Sequence, residues 1–318
     1  MDKETYFQKA RADCQEFILD KVKVNPEHFG DLETRSAYLM GMHLSFHPWE
    51  FKEGFYDAVQ DKDWQSVNDY LYQEMRHWFI PEGDGGYGYD HSYYFFHALE
   101  AFACGADQVF ESVYPYDLGP TQNGYKFCVV GSNLVFAKYY HDEGLLEQAV
   151  AAAVKFTGGR ASTWERLAIQ FLLDVLNKDL AAASENLLGI CKGYSRINLF
   201  PMMSIEDICI PAHGLYCIAK RWLSDEEFAK IVMPKHKAFL QDYAKWRIEN
   251  PTPTLKPYMV YPEDMDILNR IYAAPVVKMM LKMERETELS KLRSVVDGQQ
   301  MHRIFVNSLK GQDPEGNV

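Results

Sequence analysis

The sequence predicts an all-α protein built from stacked antiparallel helix pairs, a degenerate α-solenoid-like arrangement in a single body. Three observations carry that prediction. The dominant hydrophobic period along the 318 residues is helical. Alternating β-branched runs closed by Asn-Gly or Asp-Gly are nearly absent, and Asn123-Gly124 has no strand-like flanks. Cap residues stand where apolar periods begin and end.

Along the chain, residues 4–24 read as one amphipathic helix, with Tyr6, Ala10, Cys14, Phe17 and Leu19 on an imperfect apolar stripe. Val59-Gln60-Asp61-Lys62-Asp63-Trp64 ends one apolar helix at a short polar turn, from which Asp63 can cap the next. The segment Val175-Leu176-Asn177-Lys178-Asp179-Leu180 repeats that grammar, with Asp179 as the cap. Helices are expected over 125–141, 145–156, 164–176 and 180–192, in series as stacked hairpins. No fixed period near 34 residues and no tetratricopeptide consensus accompanies them. Tyr139-Tyr140-His141-Asp142-Glu143-Gly144 reads as a helix end with Gly144 as its cap.

Helix starts are written into several serines. Ser162-Thr163-Trp164-Glu165 is a capping box, in which Ser162 accepts the third amide proton and Glu165 reaches back. Ser224-Asp225-Glu226-Glu227 repeats it, and Ser204-Ile205-Glu206-Asp207 is a looser version. Pro201 closes one segment and Pro234 suits the first turn of another. The expected organisation is a main helical domain over 1–250, a Pro-rich linker over 251–262, C-terminal helices on the same body over 263–309, and a frayed tail over 310–318.

Charge is concentrated in one stretch. Between Glu50 and Asp117 fourteen acids face three bases, −11 of the chain's −12. The same residues hold eighteen of the 45 aromatics. A negative field raises on-rates for a basic partner, and Trp or Tyr side chains supply its anchors. This predicts docking residues Glu53, Asp57, Asp61, Asp63, Trp64, Asp84, Tyr87, Tyr89 and Asp90. The same acidity argues against nucleic-acid binding, which needs Lys and Arg patches.

No stretch approaches the roughly 20 apolar residues of a membrane span, and the polar N-terminus is not a secretory signal. Cys14, Cys104, Cys128, Cys191, Cys209 and Cys217 are scattered and read as reduced, buried side chains. A cytoplasmic protein, monomeric or a weak homodimer, is the expectation.

Motifs for chemistry are missing where they would be needed. His43 and His47 stand four apart, but a zinc protease needs Glu where Leu44 is, and Pro48 follows. The loop Gly83-Asp84-Gly85-Gly86-Tyr87-Gly88-Tyr89 lacks a Gly-Lys-Ser/Thr ending and carries an acid where a phosphate would sit. No Gly-x-Ser-x-Gly elbow occurs. No cofactor, metal site or catalytic residue is therefore expected. One enzymatic alternative stays open: acids and aromatics lining a ring of helix pairs, as in helical-toroid enzymes acting on carbohydrates through paired carboxylates. A helical adaptor protein is the other alternative.

The order of the second half carries a resemblance. The helix–Asn177-Lys178-Asp179–helix unit is followed by Pro201, then Ile210-Pro211-Ala212-His213-Gly214-Leu215-Tyr216-Cys217-Ile218-Ala219-Lys220, Met233-Pro234 and a helix over 239–248. Over about residues 125–248 this resembles the bacterial polymorphic-toxin immunity proteins of immunity family forty-nine. The resemblance implies an all-α protein without catalytic residues that binds and neutralises a cognate toxin effector. The acidity adds that the toxin is basic.

Overall fold

The computed structural model describes residues 49–81, 88–194, 208–260, 266–285 and 290–311. The helix expected over 4–24, together with His43, His47, Asp84, Tyr87, Pro201 and Ser204, lies outside the described residues. The described part is all-α, its helices packed in pairs. In chain order the helices are α1 (Trp49–Gln60), α2 (Trp64–Trp78), α3 (Phe95–Cys104), α4 (Val109–Val113), α5 (Lys126–Tyr139), α6 (Glu143–Thr157) and α7 (Thr163–Asn177). They continue with α8 (Leu180–Tyr194), α9 (Ile210–Trp222), α10 (Asp225–Phe228), α11 (Gln241–Glu249), α12 (Asp266–Ala273) and α13 (Gly298–Gly311).

Two compact units emerge where the sequence suggested one body. The first comprises Met1–Gly86, Thr254–Met280 and Asp297–Val318; the second comprises Tyr87–Pro253 and Leu281–Val296. The Pro-rich stretch does hold a boundary, between Pro253 and Thr254, but residues 254–280 rejoin the first unit.

In the second unit α5, α6, α7 and α8 form consecutive pairs, each helix packed on the next. The α5–α6 and α7–α8 reversals, like the α1–α2 reversal of the first unit, are made by a recurring two-residue device. Lys62, His141 and Lys178 are the non-glycine residues with positive φ among the described residues, at 56°, 55° and 60°. At each, the next aspartate's amide bonds back five residues: Asp63 to Ala58 at 2.9 Å, Asp142 to Ala137 at 3.0 Å, Asp179 to Asp174 at 2.9 Å. The left-handed residue's own amide bonds back three, at 3.2, 3.3 and 3.2 Å. That is a Schellman closure, which satisfies the final carbonyls of the first helix. The aspartate then caps the second helix: Asp63 accepts from the amide of Ser66 at 3.1 Å, Asp142 from Leu145 at 3.0 Å, Asp179 from Ala182 at 3.1 Å. One aspartate thus ends one helix and starts another. Gly144, expected as the cap of α5, instead lies in the first turn of α6, and His141 takes the left-handed position.

The boxes at Ser162 and Ser224 also form. The Ser162 amide donates to Glu165 Oε2 at 3.1 Å. The Ser224 amide donates to Glu227 at 3.1 Å, and the Glu227 amide returns a bond to Ser224 Oγ at 3.3 Å. Pro234, expected in a helical first turn, lies in an irregular stretch before α11.

Helix α9 leaves the sequential array and packs chiefly on α3, more than a hundred residues earlier. Gly214 permits that approach, since a Cβ there would lie 2.1 Å from the Leu99 carbonyl oxygen. The core of this unit is aromatic. Phe127 of α5 meets Phe95 of α3 at 5.5 Å, Phe156 of α6 at 6.3 Å and Trp164 of α7 at 5.2 Å. Burying each such side chain contributes roughly 1.5–3 kcal/mol.

The all-helical expectation for 263–309 fails at one place. Strands β1 (Leu281–Glu284) and β2 (Arg293–Val296) pair antiparallel, Leu281 opposite Val296 and Glu284 opposite Arg293. They are four residues each, too short to show an alternating pattern, and tertiary bonds hold them. The Val296 amide donates to the Tyr89 carbonyl at 2.9 Å, and Asn123 Nδ2 donates to the Ser294 carbonyl at 2.8 Å.

In the first unit α1 and α2 form a hairpin whose apolar side holds Phe55 against Tyr70 at 4.7 Å. Side chains of α2 fasten the later segments. Gln73 Oε1 accepts from the Met259 amide at 2.8 Å, and Gln65 donates to the Thr254 carbonyl at 3.0 Å. Arg76 donates to the carbonyls of Tyr272 and Ala274. The stretch expected as a linker is therefore packed in part, with Tyr258 and Met259 buried. Asp297 caps α13 through the Gln300 amide at 3.1 Å, and that helix runs through Gly311, into the segment expected to be frayed.

Candidate functional site

The expected docking residues divide between the two units. In the first, Asp57, Asp61 and Asp63 cluster at the α1–α2 reversal, where the Asp61 amide bonds to the Asp57 carbonyl at 2.8 Å. Asp61 and Asp63 are exposed, and Asp57 and Trp64 are half-buried. Asp63 spends its carboxylate on the cap and on Ser66 Oγ at 2.6 Å. Burial, then the charges of Asp57 and Asp63, push the nearby Tyr258 hydroxyl up to about 12. Glu53 belongs to α1.

In the second unit Tyr89 is 40% exposed. Asp90 corrects the expectation: it is buried, and its carboxylate accepts three backbone amides. These are Ser92 at 2.8 Å, Gln122 at 2.6 Å and Asn123 at 2.7 Å. Neighbouring His91 is buried too, its Nε2 set 3.3 Å from the Gly119 carbonyl, and burial lowers its pKa. Asp90 and His91 fasten residues 119–123 to the turn that precedes α3, a structural task that leaves Asp90 no exposed surface for a partner. An isolated acid in an aromatic stretch gave no sign of this, because one of its three donors lies two residues on and the other two more than thirty residues on.

A second acidic face was not anticipated. Four aromatics are exposed among the described residues, all tyrosines: Tyr56, Tyr89, Tyr116 and Tyr125. Tyr116, from the loop after α4, stacks on Phe136 at 6.0 Å and 4° and abuts Tyr140 at 5.2 Å. Its hydroxyl donates to Asp142 Oδ2 at 3.1 Å, and that bond raises its pKa. Tyr140 meets Tyr139 at 5.1 Å and donates to the Tyr114 carbonyl at 2.8 Å. Tyr139 donates to Glu111 Oε1 at 2.8 Å, and the guanidinium of Arg221 lies over its ring, 5.1 Å from the centroid. Arg221 also pairs with Asp107, whose pKa burial raises despite that base. The Tyr116 and Tyr139 hydroxyls are protonated donors at neutral pH; the carboxylate that accepts from Tyr116, and burial with the accepting carboxylate at Tyr139, raise their pKa values further.

The result is a contiguous surface of rings backed by carboxylates. The signal for it was present in Tyr139-Tyr140-His141-Asp142, whose Asp142 repeats the aspartate turn seen at Asp63 and Asp179. Such a surface suits recognition: rigid amphipathic rings lose little entropy on binding, and acids beside them select cations.

No group of three or more His, Cys, Asp or Glu that could hold a metal, and no helix long and apolar enough to cross a membrane, occurs among the described residues. No protein-family model, curated protein or solved structure matches the chain.

Proposed function

We propose that the protein is an immunity protein that binds a basic toxin effector and covers its active or substrate-binding surface. One observation carries the reading. Three of the four aromatics exposed among the described residues, Tyr56, Tyr89 and Tyr116, belong to the sequence stretch that holds −11 of the net charge of −12. Aromatic anchors within a negative field are what a basic protein surface requires of its inhibitor. Toxins acting on anionic substrates carry basic clefts, which places nucleases first among the partners. The resemblance over 125–248 supports the same reading, and the positions that carry it do packing and capping work: Asp179 caps α8, Gly214 seats α9 on α3, and His213 packs on Phe239.

The test is co-expression with the toxin domain encoded beside this gene. Growth rescue together with an isolable complex is the expected outcome. Absence of both overturns the proposal. Within such a pair, Asp57→Lys with Asp61→Lys should slow association and flatten its salt dependence, because exposed charges act mainly on encounter. Asp63 is left intact, since losing its cap costs about 1 kcal/mol of stability.

A further inference from the structure

Arg221 shows what the tyrosine–acid face can hold. Its guanidinium lies over the Tyr139 ring and pairs with Asp107, while Glu111 holds the Tyr139 hydroxyl. A ring face supplies quadrupole attraction and a plane for stacking, and a carboxylate takes the guanidinium fork. Together they make an arginine seat, filled from within the chain.

Tyr116 resembles this seat without an occupant, with one carboxylate, Asp142, beside the ring where Tyr139 has two, Glu111 and Asp107. One side of its ring is stacked on Phe136, its hydroxyl is held by Asp142, and the residue is 56% exposed. Among the described residues no cation lies over this ring; the stacked cations are Lys220 over Phe228 and Arg221 over Tyr139. Asp142 gives one oxygen to the Leu145 amide and the other to Tyr116, which leaves each carboxylate oxygen a further lone pair. Exposed Glu111 and Asp117 add negative charge to the same face.

We infer that Tyr116, with Tyr140 and Asp142, seats an arginine side chain of a basic protein partner, in the manner that Tyr139 seats Arg221. Arginine is favoured over lysine because its planar fork both stacks and bonds bidentately, whereas an ammonium is a hydrated point charge. The identity of that partner as a toxin rests on the proposed function; the arginine preference of the seat does not.

The experiment uses the full chain and two acetylated, amidated probes of equal charge, (Gly-Arg)4 and (Gly-Lys)4, titrated by calorimetry at low salt. The arginine peptide should bind more tightly than the lysine peptide. Tyr116→Leu keeps Phe136 covered but removes the ring, and should weaken the arginine peptide roughly threefold to tenfold and erase the preference. Asp142→Asn keeps the oxygen that caps α6 and should give a smaller loss in the same direction. Asp61→Asn, in the other unit, should leave the preference unchanged. Equal binding of the two peptides by the wild type, no binding of either, or an unaltered preference in Tyr116→Leu would each overturn the inference. The two proposals separate in the co-expression assay. Full rescue and unchanged toxin affinity with Tyr116→Leu would remove this seat from the interface and leave immunity standing. No rescue by the wild type would remove immunity and leave the peptide preference as measured.

Discussion

His141→Gly should raise stability by about 0.5–1 kcal/mol, because it relieves a strained backbone at no loss of a hydrogen bond or ion pair. His141 sits at φ 55° between α5 and α6, and its exposed side chain makes no hydrogen bond or ion pair among the described residues. A Cβ in the left-handed region costs about 1–2 kcal/mol. Glycine returns part of that gain, about 0.4–1 kcal/mol, through the freedom it adds to the unfolded chain. The net corresponds to a rise of about 1–3 °C in melting temperature for a body of this size. Urea unfolding and calorimetry of four variants test the account. His141→Asn should change little, because a short polar side chain tolerates this conformation. His141→Val should destabilise by about 1 kcal/mol or more, since a β-branched residue is an outlier there. Lys178→Gly should gain less than His141→Gly, because it also removes the 2.6 Å pair between Lys178 and Glu227. A destabilised His141→Gly, or a His141→Val no worse than wild type, would show that the turn is unstrained and that the aspartate alone makes the reversal.

Two further outcomes concern the α3–α9 contact and its surroundings. Gly214→Ala sets a methyl 2.1 Å from the Leu99 carbonyl oxygen, and backbone cannot swing aside; it should cost about 2–3 kcal/mol in urea unfolding, and an unchanged midpoint would mean the helices do not approach so closely. His213 is fully buried against Phe239 at 4.1 Å, accepts the Leu240 amide at Nε2, and burial alone drives its pKa to about 3. Its folded pKa is depressed, so the unfolded chain binds the extra proton: the stabilisation is complete above pH 6.5 and is lost as pH falls from 6.5 toward about 3, by roughly 1.4 kcal/mol per pH unit. Urea midpoints at pH 7.5, 6 and 5 should fall less in His213→Gln than in wild type, and parallel slopes would rule the histidine out as the cause.

Much of the second unit could be read along the chain. The spans expected at 125–141, 145–156, 164–176 and 180–192 became α5 (Lys126–Tyr139), α6 (Glu143–Thr157), α7 (Thr163–Asn177) and α8 (Leu180–Tyr194). Asp63, Asp179, Ser162 and Ser224 cap where their spacing says they should. A helical period repeats about every four residues and a cap bonds to an amide three residues on, so the information is local and a single chain segment carries it. The site was less legible. Asp57, Asp61 and Asp63 do gather, because they share one turn. Asp90 turned inward, because the amides of Gln122 and Asn123 meet it across a closed loop. Tyr116 and Asp142 meet although 26 residues separate them, and Arg221 reaches Asp107 across 114. The placement of α9 on α3, the short strands at 281–296, and the return of 254–280 to the first unit belong to the same class. Each depends on packing partners that periodicity does not name, and only the folded chain brings them within a bond length.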